Sequence, residues 1–579
     1  MTATQPIKPL PLGIADFGQL KRQNCYYVDK TMFIPRMEMA SNYLFLVRPR
    51  RFGKSLLLSM LRTYYDVKMR ERFDEMFGGL WIGSHPTPYR NYYAVLHLDF
   101  SQVTGTIQEL RESFDSYCGI KADTFAERYE SLFYEGFASD VKREDWATKK
   151  LNFIGDKAKE YGVPMYLIVD EYDNFTNTVL NQHGEDIYTS LTHGEGFYRD
   201  IFKLFKPNFE RVLMLGVSPV TMDDLTSGYN IATNITARAA FNQMLGFSEE
   251  EVRQMFHYYL DAGWIKGDID AMLDEMRPWY DNYCFAEESF TTESKVYNSN
   301  MVLYYLGSQV AEGHSPKEMN DPNARTDYQK MKKLIQLDKL EPQRKSIIYQ
   351  IAEQGYIDSA IVPYFPASEI VKFDNFVSLL YYYGMLTITG TSGFTLRLGI
   401  PNNNVRKQYY GYLLEEYNRI RVIDHRPIDQ AFQQAALSGA WQPMLTAIAD
   451  EYEKTCAVRC LIEGERNIQG FFTAYFSMYP YYLTAPELEL SHGYCDFFLL
   501  PDLRRYPMVA HSYIIELKYL KPDATAAEAE AQWAEATEQV HRYATDAKLP
   551  QLCGPTQLHL VVAQFRGHQL VRSEEITVN

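Results

Sequence analysis

The sequence lacks any hydrophobic run long enough to cross a membrane, since no apolar stretch approaches the roughly 20 residues that a spanning helix needs. Its first residues, MTATQPIKPLPLG, also lack the apolar core of a signal peptide. The seven cysteines form no CxxC pair, which disfavours a disulfide framework or a zinc site and predicts reduced thiols in the core. These absences predict a cytoplasmic protein with no membrane partner.

An excess of basic residues is also lacking, because 58 Lys and Arg stand against 74 Asp and Glu and the formal net charge is −16. Proteins that bind nucleic acid without sequence specificity are usually basic, since they neutralise phosphates. Any nucleic-acid site in this chain must therefore be a local basic patch or a metal site. The length of 579 residues predicts about three or four globular domains, and the content of 46% hydrophobic and 23% charged residues disfavours extended disorder.

The first part of the chain alternates short apolar runs with helical stretches, which include residues 55–65 and 146–161. Continuous apolar runs between helices are typical of parallel strands that are covered on both faces. This pattern predicts a three-layer α/β sandwich. The predicted strands are residues 43–47, 95–100, 166–170 and 212–217.

The first predicted strand runs into RPRRFGKS, residues 48–55, and a helix is expected to follow. Backbone N–H groups and the helix dipole at such a helix N-terminus favour a bound anion. Lys54 is suited to neutralise the β- and γ-phosphates of ATP, and the Ser55 hydroxyl to bind Mg²⁺. Arg48 stands where the full motif has glycine, so a chance GKS remains the alternative. The predicted nucleotide contacts of this loop are Arg51, Phe52, Gly53, Lys54 and Ser55.

A second signal is the segment YLIVDEYD, residues 166–173, in which an apolar strand ends in two carboxylates. Asp170 is predicted to hold Mg²⁺ through water, and Glu171 to polarise the attacking water. The alternative is an ordinary helix N-cap followed by a solvated acid. A third strand ends in GVSP, which predicts Ser218 as a γ-phosphate sensor, although many polar residues occupy strand ends.

The middle of the chain, residues 247–440, has a helical pattern. Ser248 followed by Glu250 and Glu251 is an N-terminal capping signature, and residues 249–260 are amphipathic. Residues 379–398 predict a helix end and a hairpin that turns at residues 390–393, as in a winged helix. Such a module either binds DNA or forms a lid on a nucleotide, and we favour the lid. Residues 424–441 are predicted to link it to the next domain.

Acidic residues recur among strands and a helix in the last part of the chain. A predicted helix carries Glu463 and Glu465, and a polar turn is predicted at Glu489. The predicted strand 494–500 then places Asp496 among apolar neighbours.

The next predicted strand, 513–519, carries Glu516 and Lys518, which share a face because they lie two residues apart. Burying a carboxylate and a lysine on an apolar strand is costly. Phosphodiester cleavage explains the pattern if Asp496 and Glu516 hold Mg²⁺ or Mn²⁺ and Lys518 positions the nucleophile. The alternative is an ordinary edge strand. A helix is predicted at residues 524–543 and a further strand at 558–563.

The chain resembles the divergent AAA-like ATPases that are fused to PD-(D/E)XK nuclease domains in bacteria and archaea. The segments that carry the resemblance are PLGIADFGQL, YYVDKTMFI, RPRRFGKSLLLSML, LIVDEYDN, GVSPVTM, LGFSEEEV, WYDNYCF and VYNSNMVLYYL, which occur in this order. The resemblance implies ATP binding at Lys54, Ser55 and Asp170, with Glu171 as catalytic base. It also implies that residues 27–31 contact the adenine.

The order Glu465, Asp496, Glu516 and Lys518 is similar to the helix–strand–strand layout of the PD-(D/E)XK nucleases. That similarity implies Glu465 as a further metal ligand. Gln539 and Tyr543 match the QxxxY element of RecB-like members, which implies a catalytic role for Gln539. The family pattern E-x-G-x-G-R-x-D differs at residues 489–496, where the first glycine and the arginine are missing.

The sequence therefore predicts an AAA-like P-loop ATPase domain at residues 1–246, a helical and winged-helix lid at 247–440, and an α/β PD-(D/E)XK nuclease-like domain at 441–579. The predicted function is ATP hydrolysis that regulates Mg²⁺-dependent cleavage of DNA, which is favoured over RNA. The alternatives are an ATP-driven signalling or assembly switch that uses the nuclease fold for recognition, and an ATPase that remodels nucleic acid with a degenerate nuclease. A homo-oligomer is a further expectation, and Arg199, Arg211 and Arg238 are candidates for an arginine finger that reaches across its subunit interface.

Overall fold

The computed structural model describes residues 6–103, 107–173, 197–220, 232–290, 294–321, 346–366, 369–420, 425–458, 465–490, 493–503 and 505–577. The chain divides into two compact units, Met1–Ile347 with Tyr356–Asn404, and Ile348–Gly355 with Val405–Asn579. The three predicted domain ranges stay predictions. Cys25, Cys118, Cys284, Cys495 and Cys553 are buried free thiols, and the side chains of the other two cysteines lie outside the described part.

The first unit contains a parallel sheet in the order β2-β3-β4-β1-β5. Its strands are β1 (Tyr43–Val47), β2 (Ala94–Asp99), β3 (Met165–Asp170), β4 (Arg211–Gly216) and β5 (Thr233–Asn234). Every residue of β3 and β4 is buried, which agrees with their continuous apolar sequence. The predicted α/β sheet is confirmed, and β5 is a short addition that no apolar run indicated.

Helices surround this sheet, and Lys54–Tyr65 packs against β2 and β3. The α-helices of the first unit are Phe17–Arg22, Phe33–Ala40, Lys54–Tyr65, Phe73–Phe77, Trp81–Ser84, Ile107–Tyr129, Phe137–Arg143, Ala147–Tyr161, Phe197–Lys203, Phe205–Asn208, Glu249–Asp261, Ile269–Tyr280, Ser299–Glu312 and Phe373–Tyr382. Short 3₁₀ helices span Val67–Arg72, Phe100–Gln102, Glu130–Leu132, Ala239–Phe241 and Glu287–Ser289.

The predicted helical lid begins with the capping box that its sequence indicates. The Ser248 side chain accepts a hydrogen bond from the backbone of Glu251, and the Glu251 side chain accepts one from the backbone of Ser248. A three-stranded antiparallel sheet follows in the order β6-β8-β7, made of β6 (Tyr356–Ser359), β7 (Thr387–Ser392) and β8 (Thr395–Gly399). The hairpin is confirmed, but its turn lies at residues 393–394, because Gly390 pairs with Arg397 inside the hairpin.

The second unit contains a mixed sheet in the order β13-β12-β11-β10-β9. Its strands are β9 (Tyr482–Leu490), β10 (Gly493–Pro501), β11 (His511–Leu520), β12 (Gln557–Arg566) and β13 (Gln569–Glu575). The strands β11 and β12 are parallel, and the other neighbours are antiparallel. The helices in or entering this unit are Ile347–Gln354, Asn403–Ile420, Arg426–Ser438, Trp441–Val458, Glu465–Phe476, Ala526–Ala544 and Leu549–Cys553.

Two predictions for this unit are wrong in detail. The predicted link at residues 424–441 is largely the helix Arg426–Ser438, whose buried Phe432 stacks on Tyr479 with ring centroids 3.8 Å apart. Its apolar spacing gives it a buried face, so it belongs to the core of the unit. Glu489 lies in β9, not in a turn, because residues 482–490 pair along β10.

The helix Ala526–Ala544 covers one face of this sheet. Its residues Trp533, Ala536, Val540 and Tyr543 form a buried cluster with sheet residues that include Ile514. Glu516 follows Ile514 by two residues and therefore shares the face that the helix covers.

None of the helices in the described ranges combines the length and the apolar character that crossing a membrane requires.

Candidate functional site

The phosphate loop joins β1 to the helix Lys54–Tyr65 through two residues with left-handed backbone. Gly53 has a φ of 91° and Arg51 a φ of 68°. A positive φ costs glycine little, whereas an arginine there is uncommon and strained. The loop therefore turns sharply and presents the first N–H groups of the helix, which have no partner within the helix. Such a turn is suited to an anion.

Lys54 is held by the carbonyl oxygens of its own loop. Its Nζ donates to the carbonyl oxygen of Arg48 at 2.9 Å and to that of Pro49 at 2.8 Å. The side chain is 8% exposed. The ammonium is thus fixed beside the helix N-terminus, where its charge adds to the positive end of the helix dipole.

Arg48, which replaces the first glycine of the full motif, is a buried structural residue. Its guanidinium donates to the carbonyl oxygens of Val47, Thr236 and Phe241 at 3.0, 2.8 and 3.0 Å, and it lies over the Phe285 ring at 4.3 Å. Burial lowers the pKa of Arg48 to about 10. The side chain ties the start of the loop to the segment after β5, which explains why arginine is compatible with a phosphate loop here.

Two carboxylates lie beside the loop at the end of β3. Burial raises the pKa of Asp170 to about 6, the negative charges of Glu171 and Asp99 add to this, and Lys54 opposes it. The Ser55 Oγ donates to Asp170 Oδ2 at 3.4 Å. Glu171 is half-buried, has a φ of 47°, and donates its backbone N–H to Asp170 Oδ1 at 2.9 Å.

These oxygen donors fit Mg²⁺. A hydroxyl and a carboxylate are the ligands that this hard cation prefers, and Ser55 and Asp170 already lie within contact of each other. A divalent cation would also offset the cost of an ionised, buried Asp170.

A cavity of about 510 Å³ opens beside the loop. This volume lies within the range of small-molecule sites. The predicted adenine contacts lie partly on its wall, since Tyr27, Val28 and Lys30 line it. The other lining residues are Pro11, Gly13, Ile14, Ala15, Leu20, Tyr26, residues 50–57, Asp170, Glu171, residues 244–247, Met255, Ser299, Asn300 and Leu303.

The predicted sensor Ser218 follows β4, which lies between β1 and β3 in the sheet. Its side chain is fully buried, and its Oγ accepts a hydrogen bond from the Val220 N–H at 3.2 Å. It is not among the residues that line the cavity. Ser218 is therefore not placed on the cavity wall, and the sensor role stays a prediction.

Of the candidate arginine fingers, Arg211 lies inside the chain. It is 4% exposed, its Nε donates to Tyr93 Oη at 3.1 Å, and its guanidinium lies over the Tyr89 ring. Because these contacts are internal, the finger prediction for Arg211 is wrong. Arg238 is exposed, and the side chain of Arg199 lies outside the described part.

The candidate nuclease site lies where the pairing of β10 with β11 ends. Phe497 pairs with Ile515, so Asp496 and Glu516 occupy the next position on each strand. Asp496 Oδ2 accepts a hydrogen bond from the Leu517 N–H at 2.7 Å, in place of a backbone carbonyl of β10. Lys518 Nζ donates to Glu516 Oε1 at 2.9 Å. Glu516 is 2% exposed.

The helices on either side supply further polar groups. Gln469 Nε2 donates to Asp496 Oδ1 at 2.7 Å. Burial raises the pKa of Tyr543, and the negative charges of the nearby Glu516 and Asp496 raise it further. Gln539 precedes Tyr543 by one turn, and its buried Oε1 has no hydrogen-bond donor among the described residues. The structure thus brings together Asp496, Glu516 and Lys518, with Gln539 on the neighbouring helix.

The third predicted metal ligand, Glu465, begins the helix that carries Gln469 and precedes it by one turn. The side chain of Glu465 and all of Glu463 lie outside the described part. Within the described side chains, no group of three or more His, Cys, Asp or Glu residues is arranged as a metal site. Two carboxylates side by side still offer the oxygen donors that Mg²⁺ or Mn²⁺ prefers.

Family models match both ends of the chain. The model described as a predicted AAA-ATPase matches residues 11–226, and the model of the PD-(D/E)XK nuclease superfamily matches residues 463–575. The chain joins an AAA-ATPase-like domain to a PD-(D/E)XK nuclease superfamily domain.

One curated relative is an uncharacterized protein encoded in the vnfD 5′ region of Azotobacter chroococcum mcd 1, which is 26% identical over 299 residues. The match covers 49% of this chain, and the chain spans 50% of the length of that relative. The solved structure of the Walker-type ATPase of Pyrococcus abyssi is 11% identical and aligns with a TM-score of 0.36. The alignment covers 70% of this chain and 98% of that chain.

Sequence reasoning missed two residues of these domains. Gln469 follows Glu465 by four residues, and this helical spacing was the signal that both residues share a helix face. Arg48 carried no local signal, because its partners Thr236 and Phe241 are distant in sequence.

Proposed function

We propose that the AAA-ATPase-like domain binds and hydrolyses ATP, that the nuclease domain cleaves DNA with Mg²⁺ or Mn²⁺, and that nucleotide state regulates the cleavage. The observation that carries this proposal is the cavity of about 510 Å³, on whose wall the phosphate loop meets Asp170 and Glu171. A site for ATP alone would not need the half-buried Glu171 beside the cation-binding acid, whereas hydrolysis needs a base there.

In this proposal the residues of the ATPase-like site have separate roles in phosphate binding, cation binding and water activation. Lys54 would exchange the loop carbonyl oxygens for the phosphate oxygens of ATP, which carry full negative charge and bind an ammonium more strongly. Ser55 and Asp170 would hold Mg²⁺. Glu171 would orient a water and accept its proton, since its carboxylate is half-exposed on the cavity wall.

At the nuclease site, Asp496 and Glu516 would hold the cation. At both sites the divalent cation, when bound, supplies positive charge that stabilises phosphate oxygens and activates water. Lys518 would turn from Glu516 towards the scissile phosphate or the attacking water, because the cation takes its place as the partner of the carboxylate. The side-chain amide of Gln539 would position the nucleic acid or the water.

The acidic charge of the chain is compatible with DNA as a substrate whose binding and cleavage are controlled. With a net charge of −16, the chain has little affinity for random nucleic acid, so the metal site and local contacts must supply the binding. A nuclease that cut freely would damage the DNA of its own cell. Regulation by ATP through the predicted lid, residues 247–440, would restrict cleavage to one nucleotide state.

The direct test uses purified full-length protein. We expect Mg²⁺- or Mn²⁺-dependent nicking of plasmid DNA, and ATP binding that is lost in Lys54→Ala because the phosphate charge loses its partner. Titration calorimetry measures the binding, and gel electrophoresis measures the nicking. A parent protein that binds no ATP, or that leaves plasmid intact at every divalent cation tested, would refute the corresponding half of the proposal.

A further inference from the structure

The helix Glu465–Phe476 packs on the sheet of the second unit through an apolar face. Phe472 and Phe476 are buried, and their ring centroids lie 5.6 Å from that of Phe565 and 5.1 Å from that of Phe497. Gln469 precedes Phe472 by three residues and Phe476 by seven, so it occupies the same face of the helix. A side-chain amide on such a face loses contact with water and needs a hydrogen-bond partner.

The partner of Gln469 is Asp496, the neighbour of Phe497 on β10. Gln469 Nε2 donates to Asp496 Oδ1 at 2.7 Å, and the Leu517 N–H donates to Asp496 Oδ2 at 2.7 Å. A carboxylate group otherwise rotates easily about its last torsion angle. Here its two oxygens are held by donors from two different elements, a helix and a strand, which together select one orientation.

The two acids of this site are held by different kinds of donor. Lys518 Nζ, which donates to Glu516 Oε1 at 2.9 Å, carries a positive charge that a divalent cation would replace. The amide of Gln469 and the Leu517 N–H are neutral, so they do not repel a cation. Each carboxylate oxygen has about two lone-pair sites, so both neutral donors can stay in place when a cation binds.

We propose that Gln469 is a positioning residue of the nuclease site, which orients Asp496 for a divalent cation without contacting the cation itself. This inference rests on the proposed cation site. Hydrogen bonds to carboxylates that ligate a metal orient these ligands, and their loss typically lowers metal affinity roughly 10–100-fold. Asp496 is oriented when the chain folds, so cation binding does not bear that cost.

The test replaces Gln469 by methionine in the full-length protein. Methionine has a similar length and helix propensity but has no N–H group to donate. Calorimetry without nucleotide measures Mn²⁺ affinity, and the binding that Asp496→Ala removes is assigned to the nuclease site. We expect Gln469→Met to weaken that binding roughly 10–100-fold.

A second readout separates positioning from direct catalysis. Because Gln469→Met lowers the occupancy of the cation site, plasmid nicking should need more Mn²⁺, and its rate at saturating Mn²⁺ should return to within about threefold of the parent rate. The matched control is Gln569→Met in the same unit, because Gln569 Nε2 donates to the carboxylate Oε1 of Glu453 at 2.6 Å. This control should leave Mn²⁺ affinity and nicking unchanged.

Three results would overturn the inference. Unchanged or tighter Mn²⁺ binding in Gln469→Met would show that the hydrogen bond does not prepare the site, and an equal loss in Gln569→Met would show a general effect on folding. A nicking rate that stays low at saturating Mn²⁺ would show that Gln469 acts on the nucleic acid or the water. A parent protein without Mn²⁺ binding that Asp496→Ala removes would instead refute the proposed cation site itself.

Discussion

The two candidate sites present their charges on different kinds of backbone. At the ATPase-like site, Lys54 begins a helix, Asp170 ends β3 and Glu171 follows it, so the charges stand at the ends of elements at one edge of a parallel sheet. At the nuclease site, Asp496, Glu516 and Lys518 lie within two antiparallel strands. In the first, the loop carbonyl oxygens hold the lysine. In the second, the Leu517 N–H of β11 holds Asp496, and strand register sets the acids side by side.

This difference predicts that the ATPase-like site rearranges when its ligand binds, whereas the nuclease site already has its acids in position. A lysine held by loop carbonyl oxygens would exchange these partners for phosphate oxygens when phosphate binds. Strand register cannot shift by one residue without moving every side chain to the other face. We therefore expect nucleotide binding to change conformation, and cation binding at the nuclease site to change little.

The largest expected effect comes from substitutions that inactivate the nuclease site and leave the ATPase-like site intact. Asp496→Ala or Glu516→Ala should reduce divalent-dependent DNA cleavage about a thousandfold or more, since the cation supplies several kcal/mol of charge stabilisation. ATP hydrolysis should be unchanged, and plasmid nicking and phosphate release measure the two activities. The matched control is Glu575→Gln on the same sheet, because Glu575 pairs with Trp441 and His559. A parental cleavage rate in either alanine variant would place the active site elsewhere.

The next largest effect comes from a substitution that slows ATP hydrolysis but leaves ATP binding intact. Glu171→Gln should bind ATP as the parent does but hydrolyse it roughly 10²–10⁴-fold more slowly, because an amide cannot accept the proton of water. Glu210→Gln is the control and should keep near-parental turnover, because Glu210 directly precedes β4 at the opposite edge of the sheet and accepts a hydrogen bond from Tyr93 Oη at 3.1 Å. Calorimetry and steady-state phosphate release provide the two readouts. Equal hydrolysis by Glu171→Gln and the parent would rule out Glu171 as the base.

A third prediction uses the burial of Asp170, whose pKa is raised to about 6. Below about pH 3 the carboxyl is protonated in folded and unfolded chains alike. As the pH rises towards 6 the unfolded chain loses this proton first, so the folded state is destabilised, by up to about 3 kcal/mol above pH 6. Without nucleotide or divalent cation, Asp170→Asn should therefore be more stable than the parent at pH 7 and equal to it at pH 3. Urea titrations at both pH values measure this, and a difference independent of pH would contradict it.

Local patterns predicted the elements that depend on local interactions. The strands β1 to β4, the Ser248 capping box and the strand that carries Glu516 and Lys518 are confirmed, because hydrophobic runs and capping signatures act over a few residues. Asp170 and Glu171, which the sequence placed at the end of an apolar strand, lie beside the loop because the parallel strands β1 and β3 end at the same edge of the sheet.

What the sequence did not reveal depends on distant pairs. Arg48 donates to Thr236, 188 residues away, and Gln469 donates to Asp496, 27 residues away. Ser218 has the strand-end position of a sensor, but its burial follows from packing that no strand pattern encodes. The roles of the site residues stay predictions until they are measured.

The most direct measurement of the central claim is a time course of DNA cleavage at matched free Mn²⁺ with ATP, a non-hydrolysable analogue, ADP or no nucleotide. Coupling of about 1–3 kcal/mol predicts that cleavage differs at least several-fold between the ATP-bound and nucleotide-free protein. Lys54→Ala should abolish that difference and leave Mn²⁺ binding at Asp496 and Glu516 intact. Identical rates in all four conditions would contradict regulation and leave two tethered but independent domains.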